Sequence, residues 1–383
     1  MQTPYILVFT TYFHPHRGGL EKNTFELFNR LALAKKANID VLCFNTNYVA
    51  SEEQFGSLKI YRIDCWNILG KTYAIPKPWS LLHVWKKLYR NPYTHVSTQT
   101  RFFLTSFLGW IFAQQKKIPL IHTERGTSFA ILKNKIAQLV AWFYDQTLGR
   151  IVISKANVVV GVSEAACNFA RQLGAKNPQV IHNGIDLEKF ITSQKIDRSW
   201  LDIDQEILVI TFVGRLIQAK GLQDLLSALA GIKLPKWQLL IIGEGEYKKT
   251  LFKMISKLNL EKQVRFLGQR DEKEIIKILK ITDIFINPSH TEGLPTTVIE
   301  AGAASCAVIA SDVGGTREII DDKKNGFLFP SRDVQALQKH LLYLAENKKL
   351  REEFGQKLFF TVQAKFNWPR IVDEYEKVLS RKT

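Results

Sequence analysis

The sequence predicts an α/β protein built from two doubly wound, Rossmann-like domains that face each other across a cleft. Short apolar β-type runs alternate with segments of helical period along all 383 residues, a pattern typical of parallel sheets covered by helices. One hydrophobic core rarely serves a chain of this length. The charged segment 186–205 has no clear period and divides the alternation into two series. We therefore expect a first domain over 1–188, a second domain over 189–366, and a helix over 367–383 that crosses back onto the first domain.

Each series alternates strands with helices. The first has candidate strands over 5–10, 39–44, 59–63, 94–98, 120–122, 158–162 and 180–182, and candidate helices over 20–36, 79–90, 102–115, 133–148 and 164–173. The second has candidate strands over 207–213, 238–242, 264–266, 284–286 and 308–310, and candidate helices over 221–230, 246–258, 272–279, 296–304 and 333–346. Ligands of such sheets bind beyond the carboxyl ends of the strands.

The composition is that of a folded globular protein, with 46% hydrophobic and 23% charged residues. The four cysteines, at 43, 65, 167 and 306, show no C-x-x-C spacing, so we expect buried thiols in a reducing compartment and neither a zinc site nor disulfides. The first ten residues resemble a strand and not a signal peptide, which favours a cytoplasmic protein. The most apolar later window, 102–113, is about half the ~20 residues that span a bilayer.

The positive charge is concentrated in the first half of the chain. Residues 1–190 carry +12 of the formal net charge of +17. Such a field attracts anionic partners, namely nucleic acid, lipid headgroups or diphosphates, although a generally basic proteome would give the same excess. Because no nucleic-acid-binding motif is present, we expect no nucleic acid partner.

Two loops that follow strands have phosphate-binding character. Gly18 and Gly19 precede the first helix, where backbone N–H groups can approach a phosphate, although a Gly-Gly pair also forms simple turns. Arg215 and Lys220 flank the start of a helix in the second series. The partial positive charge of that helix terminus suits a diphosphate, and the alternative is a solvated basic loop.

A pair of glutamates lies further along the second series. Glu292 falls in the loop after the strand 284–286, and Glu300 falls about a turn inside the next helix, whose first turn suits Pro295. Carboxylates at this separation can each accept hydrogen bonds from sugar hydroxyls. Two glutamates near a helix start are common, so the pair by itself is ambiguous.

Taken together, these motifs resemble family 4 of the retaining glycosyltransferases, which have the GT-B fold. The resemblance runs almost end to end. It is carried by Gly18-Gly19-x-Glu21, Val162-Ser163-Glu164, Val180-Ile-His-Asn183-Gly184-Ile-Asp186, Val213-Gly-Arg215 with Lys220-Gly221, Ile242-Gly243-x-Gly245, Phe266-Leu-Gly268 and the E-x7-E block from Glu292 to Glu300.

The resemblance implies a role for each matching residue. Arg215 and Lys220 would bind the donor diphosphate, and Glu300 would bind the ribose. Glu292 would bind the donor sugar together with the backbone of Gly293, Leu294, Pro295 and Thr296. The nucleobase of the donor would lie near Gly243, Gln269 and Arg270. Gly18 and Gly19 would close over the phosphates. The donor would be a UDP- or GDP-sugar, with no further cofactor, and the leaving diphosphate would act as the base.

The sequence departs from the family at two places. After the E-x7-E helix, Ser305-Cys306-Ala307 stands where members often have Gly-x-Pro, which loosens a turn and removes no ligand. The other departure lies in the first domain. Where many members have a histidine, this chain has Arg125, which can hydrogen-bond a sugar or phosphate but cannot accept a proton. His122 has either a structural role on its strand or a role in the site. Residues 202–204 form a D-x-D sequence, but it precedes a strand, so we expect a solvated segment and no bound metal.

The acceptor is expected to bind the first domain. Arg101, at a strand's carboxyl end, is a candidate for an acceptor phosphate, and His122 and Ser163 are further acceptor-side candidates. The helix 79–90 spaces Leu82, Trp85 and Tyr89 on one side, with three cations alongside (Lys86, Lys87 and Arg90). It either lies on an anionic membrane or packs on the core. These features favour a lipid-linked diphospho-sugar acceptor over a soluble one.

The expected activity is transfer of a hexose or N-acetylhexosamine in the synthesis of a cell-surface polysaccharide or glycolipid. A GT-B nucleotide-sugar epimerase is an alternative, as is a non-catalytic basic nucleotide-binding protein. A phosphorylase would need a lysine-bound pyridoxal phosphate, for which no motif is present.

Overall fold

A computed structural model describes residues 3–16, 18–68, 73–129, 135–192, 197–234 and 236–381. The chain divides into two compact units. Unit 1 comprises Met1–Gly184 together with Trp368–Thr383, and unit 2 comprises Ile185–Asn367. The sequence-based boundaries differ from these by four residues or fewer.

The strands are numbered in chain order. They are β1 Tyr5–Phe9, β2 Asn38–Phe44, β3 Glu52–Phe55, β4 Leu58–Ile63, β5 Cys65–Ile68, β6 Tyr73–Pro76, β7 His95–Gln99, β8 Leu120–Glu124, β9 Val158–Gly161, β10 Gln179–Val180, β11 Leu208–Val213, β12 Trp237–Ile242, β13 Val264–Gly268, β14 Ile284–Asn287, β15 Ala307–Ser311 and β16 Phe327–Phe329.

The α-helices are α1 Gly19–Leu33, α2 Pro78–Tyr89, α3 Leu104–Lys116, α4 Lys135–Tyr144, α5 Arg150–Lys155, α6 Glu164–Gln172, α7 Leu187–Ile191, α8 Leu222–Ala230, α9 Lys248–Lys257, α10 Glu272–Lys280, α11 Thr296–Ala303, α12 Thr316–Ile319, α13 Val334–Glu346, α14 Lys348–Lys365 and α15 Trp368–Leu379. A π-helical turn, Asp145–Gly149, joins α4 to α5, and 3-10 turns occupy Arg198–Leu201 and Gln218–Lys220.

Unit 1 is organised around an eight-stranded sheet of order β10-β9-β8-β7-β1-β2-β4-β3. Every pair is parallel except the edge hairpin β3–β4. Ile6, Leu7, Val8 and Phe9 of β1 are fully buried, as expected for a central strand of a parallel sheet that helices cover on both faces. A separate antiparallel hairpin, β5–β6, stands beside this sheet.

Unit 2 contains a six-stranded, all-parallel sheet of order β13-β12-β11-β14-β15-β16. Counted within the unit, this is the 3-2-1-4-5-6 order of the Rossmann fold. The strand order reverses between β11 and β14, so the loops after these two strands diverge at the sheet's carboxyl edge. In folds of this kind, ligands bind at that reversal.

The last helix, α15, belongs to unit 1. The Tyr375 ring packs edge-on against Phe28 of α1 at 5.6 Å, and its hydroxyl lies 3.1 Å from Ser97 Oγ in β7. On the surface, Lys36 is 2.6 Å from Asp373. Apolar packing, a buried hydrogen bond and an ion pair thus attach the C-terminal segment to the first unit.

The structure confirms the α/β class with two Rossmann-like domains. The edge strand β3, the hairpin β5–β6, the edge strand β16 and the long helix α14 were not predicted, and neither were the short helices α5, α7 and α12. The predicted helix 133–148 begins outside the described residues and ends as α4, followed by the π-helical turn. All four cysteines are buried free thiols.

Candidate active site

The loop after β11 is shaped by a glycine. Gly221 has φ +67°, and a Cβ there would lie 1.8 Å from the carbonyl oxygen of Pro288. Only glycine fits this left-handed conformation and close backbone approach without strain. Directly before it, Gln218–Lys220 form the 3-10 turn, and α8 begins directly after it at Leu222. The predicted Lys220 therefore stands at the start of a helix.

The same loop is joined to the loop after β14. The backbone N–H of His290 donates to the carbonyl of Ala219 at 2.8 Å. The imidazole of His290 also lies 2.7 Å from the carboxylate of Asp224 in α8. These contacts hold the loops after β11 and β14 together where the strand order reverses.

The predicted Lys220 and Glu292 form an ion pair at this edge. Lys220 Nζ donates to Glu292 Oε1 at 2.6 Å, and the two side chains are 23% and 10% exposed. Arg215 is exposed on the same loop, and within the described part of the chain no hydrogen bond or ion pair engages its guanidinium. The structure thus brings together two of the three charged residues and leaves the third facing solvent.

A glycine pair that sequence reasoning missed supports the Glu292 loop. The N–H of Gly315 donates to the carbonyl of Gly293 at 3.0 Å. Gly314 has φ +54°, and a Cβ there would lie 1.8 Å from the carbonyl oxygen of Glu292. Its sequence signal was a Gly-Gly pair soon after the strand β15.

The predicted Leu294, Pro295, Thr296 and Glu300 lie at the start of α11. Leu294 is buried and Pro295 is the residue before the first turn, which begins at Thr296. Val298, Ile299 and Ala301 are buried in the core, whereas Glu300 is half-buried on another side of the helix. The arrangement keeps Glu300 accessible one turn after the Glu292 loop.

The ends of β11, β12 and β13 lie unusually close together at Gly243. This residue has φ +136°, and a Cβ there would lie 1.9 Å from the carbonyl oxygen of Gly214. Its N–H donates to Gly268 at 2.8 Å. Beyond β13, Gln269 and Arg270 are exposed, and Arg270 pairs with Glu274 at 3.0 Å. The residues predicted to bind the nucleobase therefore lie together at the carboxyl ends of these strands in unit 2.

In unit 1, Gly18 and Gly19 lie at the N-terminus of α1. Gly18 is the extended N-cap, Gly19 is the first helical residue, and both are exposed. Glu21 in the first turn is 8% exposed, and a Cβ at residue 18 would meet its Oε2 at 2.2 Å. This carboxylate lies at a terminus whose positive end favours anions.

Arg125 is a cation held by neutral partners. Its guanidinium donates to Asn183 Oδ1 at 2.8 Å and to Gln99 Oε1 at 3.3 Å. Within the described part of the chain, no carboxylate lies within ion-pair distance of it, and its Nε has no partner. Burial lowers the pKa of Arg125 to about 10. A desolvated cation without a counterion is costly, which is a reason to expect an anionic ligand here.

The structure requires a correction for Arg101. This side chain is buried, and it lies 3.1 Å from both Glu124 and Asp145, whose side chains are fully buried. Its guanidinium also stacks over the Phe169 ring at 4.4 Å. Two protein carboxylates already occupy its donors, so we no longer propose Arg101 as an acceptor phosphate ligand.

Glu124 is the centre of this buried cluster. Besides Arg101, its Oε1 accepts the backbone N–H of Arg125 at 2.9 Å and of Gly126 at 2.6 Å. Burial alone would raise the pKa of Glu124, but Arg101, His122 and the Gly126 N–H outweigh it and hold the pKa at about 2. Burial raises the pKa of Asp145, because Arg101 offsets its desolvation only in part.

The structure favours structural roles for His122 and Ser163. His122 is fully buried, with Nδ1 2.9 Å from Thr98 Oγ1 and Nε2 3.5 Å from Glu124. Ser163 is the N-cap of α6 and accepts the N–H of Ala166 at 3.1 Å. Neither side chain is exposed, so we no longer propose them for acceptor binding.

Two searches of the described residues bear on metal and membrane binding. No group of three or more His, Cys, Asp or Glu residues in the described ranges is arranged to hold a metal ion. Of the helices that the structure describes, none combines the length and apolar character that a membrane span requires.

Two family models match the chain: Glycosyltransferase Family 4 over residues 17–189, and Glycosyl transferases group 1 over residues 193–358. An uncharacterized glycosyltransferase of Methanocaldococcus jannaschii is 31% identical, with 98% of each chain covered. The fold and the site therefore define a GT-B glycosyltransferase. More narrowly, the chain belongs to the group 1, family 4 glycosyltransferases and is a transferase enzyme.

Two further proteins are informative. The Escherichia coli UDP-Gal:alpha-D-GlcNAc-diphosphoundecaprenol alpha-1,3-galactosyltransferase is 28% identical, with 71% of each chain covered. Among solved structures, the sucrose-phosphate synthase of Thermosynechococcus elongatus superposes with a TM-score of 0.83 at 23% identity, with 98% of each chain covered. At that identity, the structural likeness speaks for the fold alone.

Proposed function

We propose that this enzyme transfers a hexose or N-acetylhexosamine from a nucleoside-diphosphate sugar to a lipid-linked or glycan acceptor, with retention of the anomeric configuration. The observation that carries the proposal is the position of Lys220 and Glu292. Both lie where the strand order of unit 2 reverses, at the carboxyl ends of β11 and β14. A cation at a helix start and a carboxylate beside it match the diphosphate and the hydroxyls of one ligand.

A bound donor would change the pairing of the charges at this site. Lys220 and Glu292 largely neutralise each other while they are 2.6 Å apart. A diphosphate beside Lys220 and Arg215 would supply the negative charge that Glu292 now supplies. Glu292 could then accept hydrogen bonds from sugar hydroxyls. The same cations would stabilise the charge that develops on the leaving diphosphate.

The reaction proposed here needs no protein nucleophile. The bond from the sugar C1 to the diphosphate oxygen breaks, and the acceptor oxygen bonds to C1 on the same face. The acceptor proton goes to the departing diphosphate. Arg125, a guanidinium, cannot take that proton, which is consistent with the diphosphate as base. We propose that Arg125 binds an anionic group of the donor or acceptor.

The donor and acceptor classes are proposed by analogy with one relative. The name of the Escherichia coli relative specifies a UDP-sugar and a diphosphoundecaprenol-linked acceptor. By analogy we propose a UDP-sugar donor, with a GDP-sugar as the second choice, and a lipid-linked diphospho-sugar acceptor. Synthesis of a surface polysaccharide or glycolipid at the cytoplasmic membrane face would fit these substrates.

The decisive experiment measures donor turnover with Lys220→Ala and Glu292→Gln. Loss of one transition-state contact of this kind typically lowers kcat by roughly 10²–10³-fold, and we expect that fall for Lys220→Ala. Lys357→Ala is the matched control, because Lys357 also forms a 2.6 Å ion pair but lies exposed on α14. Full activity in both site variants would contradict the proposed site.

Stereochemistry tests the mechanism separately. The anomeric proton coupling of the product, measured by NMR, is expected to show the donor's configuration. An inverted product from an active enzyme would overturn the same-face mechanism and leave the donor site intact.

A further inference from the structure

Helix α4 presents a stripe of large apolar side chains to solvent. Ile136, Leu139, Val140 and Phe143 are 75%, 64%, 63% and 63% exposed. Their spacing of three, four and seven residues places them on one face of the helix. Ala141, on another side, is buried. No charged residue interrupts the helix after Lys135. Contact of this apolar stripe with water is therefore unfavourable.

A second exposed apolar group lies on the hairpin β5–β6 and the start of α2. Its members are Trp66, Ile68, Ile75, Trp79 and Leu82, each at least 41% exposed. Trp66 and Trp79 contact edge to face at 5.8 Å. We call this group and the α4 stripe together the apolar face.

Aromatic contacts join the two parts of the apolar face. Tyr73, the first residue of β6, contacts Phe102 at 5.3 Å, and Phe102 contacts Tyr144 at the end of α4 at 6.3 Å. The hairpin and α4 are therefore neighbours within unit 1. Large exposed apolar side chains grouped in this way mark an interaction site.

The charge of the surrounding segment indicates the partner. Residues 65–155 contain 13 Lys and Arg but two Asp or Glu. Both acids, Glu124 and Asp145, are fully buried against Arg101. Among the described cations, Lys86, Arg90, Lys117, Lys135 and Arg150 are exposed. An apolar, tryptophan-bearing surface within a field of cations fits an anionic lipid bilayer, where the rings enter the interface and the cations meet headgroups.

We propose that the apolar face of unit 1 docks this enzyme on an anionic phospholipid bilayer, with α4 inserted along the interface. This inference rests on the proposed lipid-linked acceptor. Docking on the bilayer would bring that acceptor within reach of the enzyme. The ten residues of α4 are half the ~20 needed to cross a bilayer, so the helix lies in the plane of the interface.

In the structure, α4 and not α2 provides most of the proposed membrane-binding surface. The sequence indicated α2 as a candidate for membrane binding through Leu82, Trp85, Tyr89 and the neighbouring cations, with packing on the core as the alternative. In the structure, Trp85 Nε1 donates to Gln115 at 3.1 Å, the Tyr89 hydroxyl donates to the backbone of Gln115, and Lys87 pairs with Glu52. The first turns of α2 contribute the exposed Trp79 and Leu82, Tyr89 at its end is exposed but tied to Gln115, and α4 contributes the continuous stripe.

Flotation of the full-length protein with vesicles tests the proposal. We expect binding to phosphatidylcholine vesicles that contain phosphatidylglycerol, weaker binding to phosphatidylcholine alone, and a fall with added salt. Leu139→Asp with Phe143→Asp removes two inserting side chains and is expected to lower the partition coefficient by roughly tenfold or more. Phe360→Asp is the matched control, since Phe360 is 55% exposed in unit 2.

A fluorescent label locates the insertion. The four native cysteines are buried, so an environment-sensitive dye on Phe143→Cys reports one position. Its emission is expected to shift to the blue on adding anionic vesicles, whereas the dye on Phe360→Cys stays unchanged. An unshifted label at residue 143, or unchanged flotation of the double variant, would overturn the proposal.

The outcomes separate this proposal from the proposed activity. The double variant is expected to keep donor turnover with a short-chain, water-soluble acceptor, because α4 contributes none of the donor residues. If it lost self-association in the absence of lipid and kept vesicle binding, a second copy of the chain would cover the stripe, and the bilayer proposal would be wrong. Loss of donor turnover by Lys220→Ala with normal flotation would concern the active site alone.

Discussion

Replacing Arg101 with methionine tests how unit 1 stabilises its buried charges. The guanidinium lies 3.1 Å from Glu124 and 3.1 Å from Asp145, and both carboxylates are fully buried. Methionine keeps an unbranched apolar side chain and removes the charge. Two buried carboxylates would then be left without their cation.

The expected cost is large. Removing one partner of a buried ion pair typically costs about 3–5 kcal/mol, because the remaining charge is uncompensated. For a unit of this size, each kcal/mol lowers Tm by about 2–4 °C, which gives a fall of roughly 6–20 °C. Arg150→Met makes the same chemical change at an exposed position of unit 1 and is expected to leave Tm nearly unchanged.

The loss should depend on pH in a defined direction. In the wild type, the pKa of Glu124 is held at about 2, so its ionised form adds stability above the unfolded-state pKa that is lost as pH falls towards 2. Without Arg101, burial would raise that pKa, and ionisation would destabilise the variant as pH rises. Thermal unfolding at about pH 5 and about pH 8 should therefore show the larger deficit at the higher pH. A deficit that was small, or equal at both values, would refute the buried-charge account.

Two further predictions concern the site. Gly314→Ala places a Cβ against the Glu292 carbonyl at a left-handed position. For a strain of roughly 1–3 kcal/mol we expect donor affinity, measured by calorimetry, to fall by roughly 5- to 150-fold. Gly56→Ala, at φ +59° in the β3–β4 turn, is expected to leave donor affinity unchanged. Arg125→Gln removes a poorly compensated cation and is expected to keep or raise Tm while lowering kcat/KM; a fall in Tm without loss of turnover would assign Arg125 a structural role.

The sequence was sufficient for those parts of the site that depend on local pattern. A strand followed by Gly-Arg and then Lys-Gly identified the Lys220 loop, and the spacing of Glu292 and Glu300 identified the second loop. The ion pair between them joins residues 72 positions apart, and a shared ligand was the reason to expect them together. The contact between Gly314 and the Glu292 loop depends on two backbone segments lying close together, which the residue pattern did not show.

The misplaced residues show why burial is hard to infer from a sequence. Arg101 follows a strand, as a ligand-binding residue would, but its carboxylate partners lie 23 and 44 positions away. One of them, Asp145, opens the π-helical turn, which the helical period of 133–148 did not indicate. The direction of a charged side chain depends on such long-range pairing.

Elements with weak periodicity were also missed. In α14 the buried residues Phe354, Leu358 and Val362 recur every fourth position, but the apolar Phe359 and Phe360 lie between them and Gly355 interrupts the pattern. That glycine is needed because a Cβ there would lie 2.0 Å from the carbonyl oxygen of Ser305. A residue that weakens the helix in the sequence thus permits its close packing in the fold.

The return of α15 to unit 1 makes unit 2 a closed insertion. Its ends meet, because the N–H of Ile185 donates to the carbonyl of Phe366 at 2.7 Å. The flanking ends of unit 1 also meet, since a Cβ at Gly184 would lie 2.4 Å from the Trp368 ring. In engineering terms, unit 2 is a cassette with adjoining termini. Exchanging residues 185–367 between relatives would therefore replace unit 2 through two junctions that lie side by side. Such a chimera would test the proposal that unit 2 sets the donor preference and unit 1 the acceptor and membrane preference.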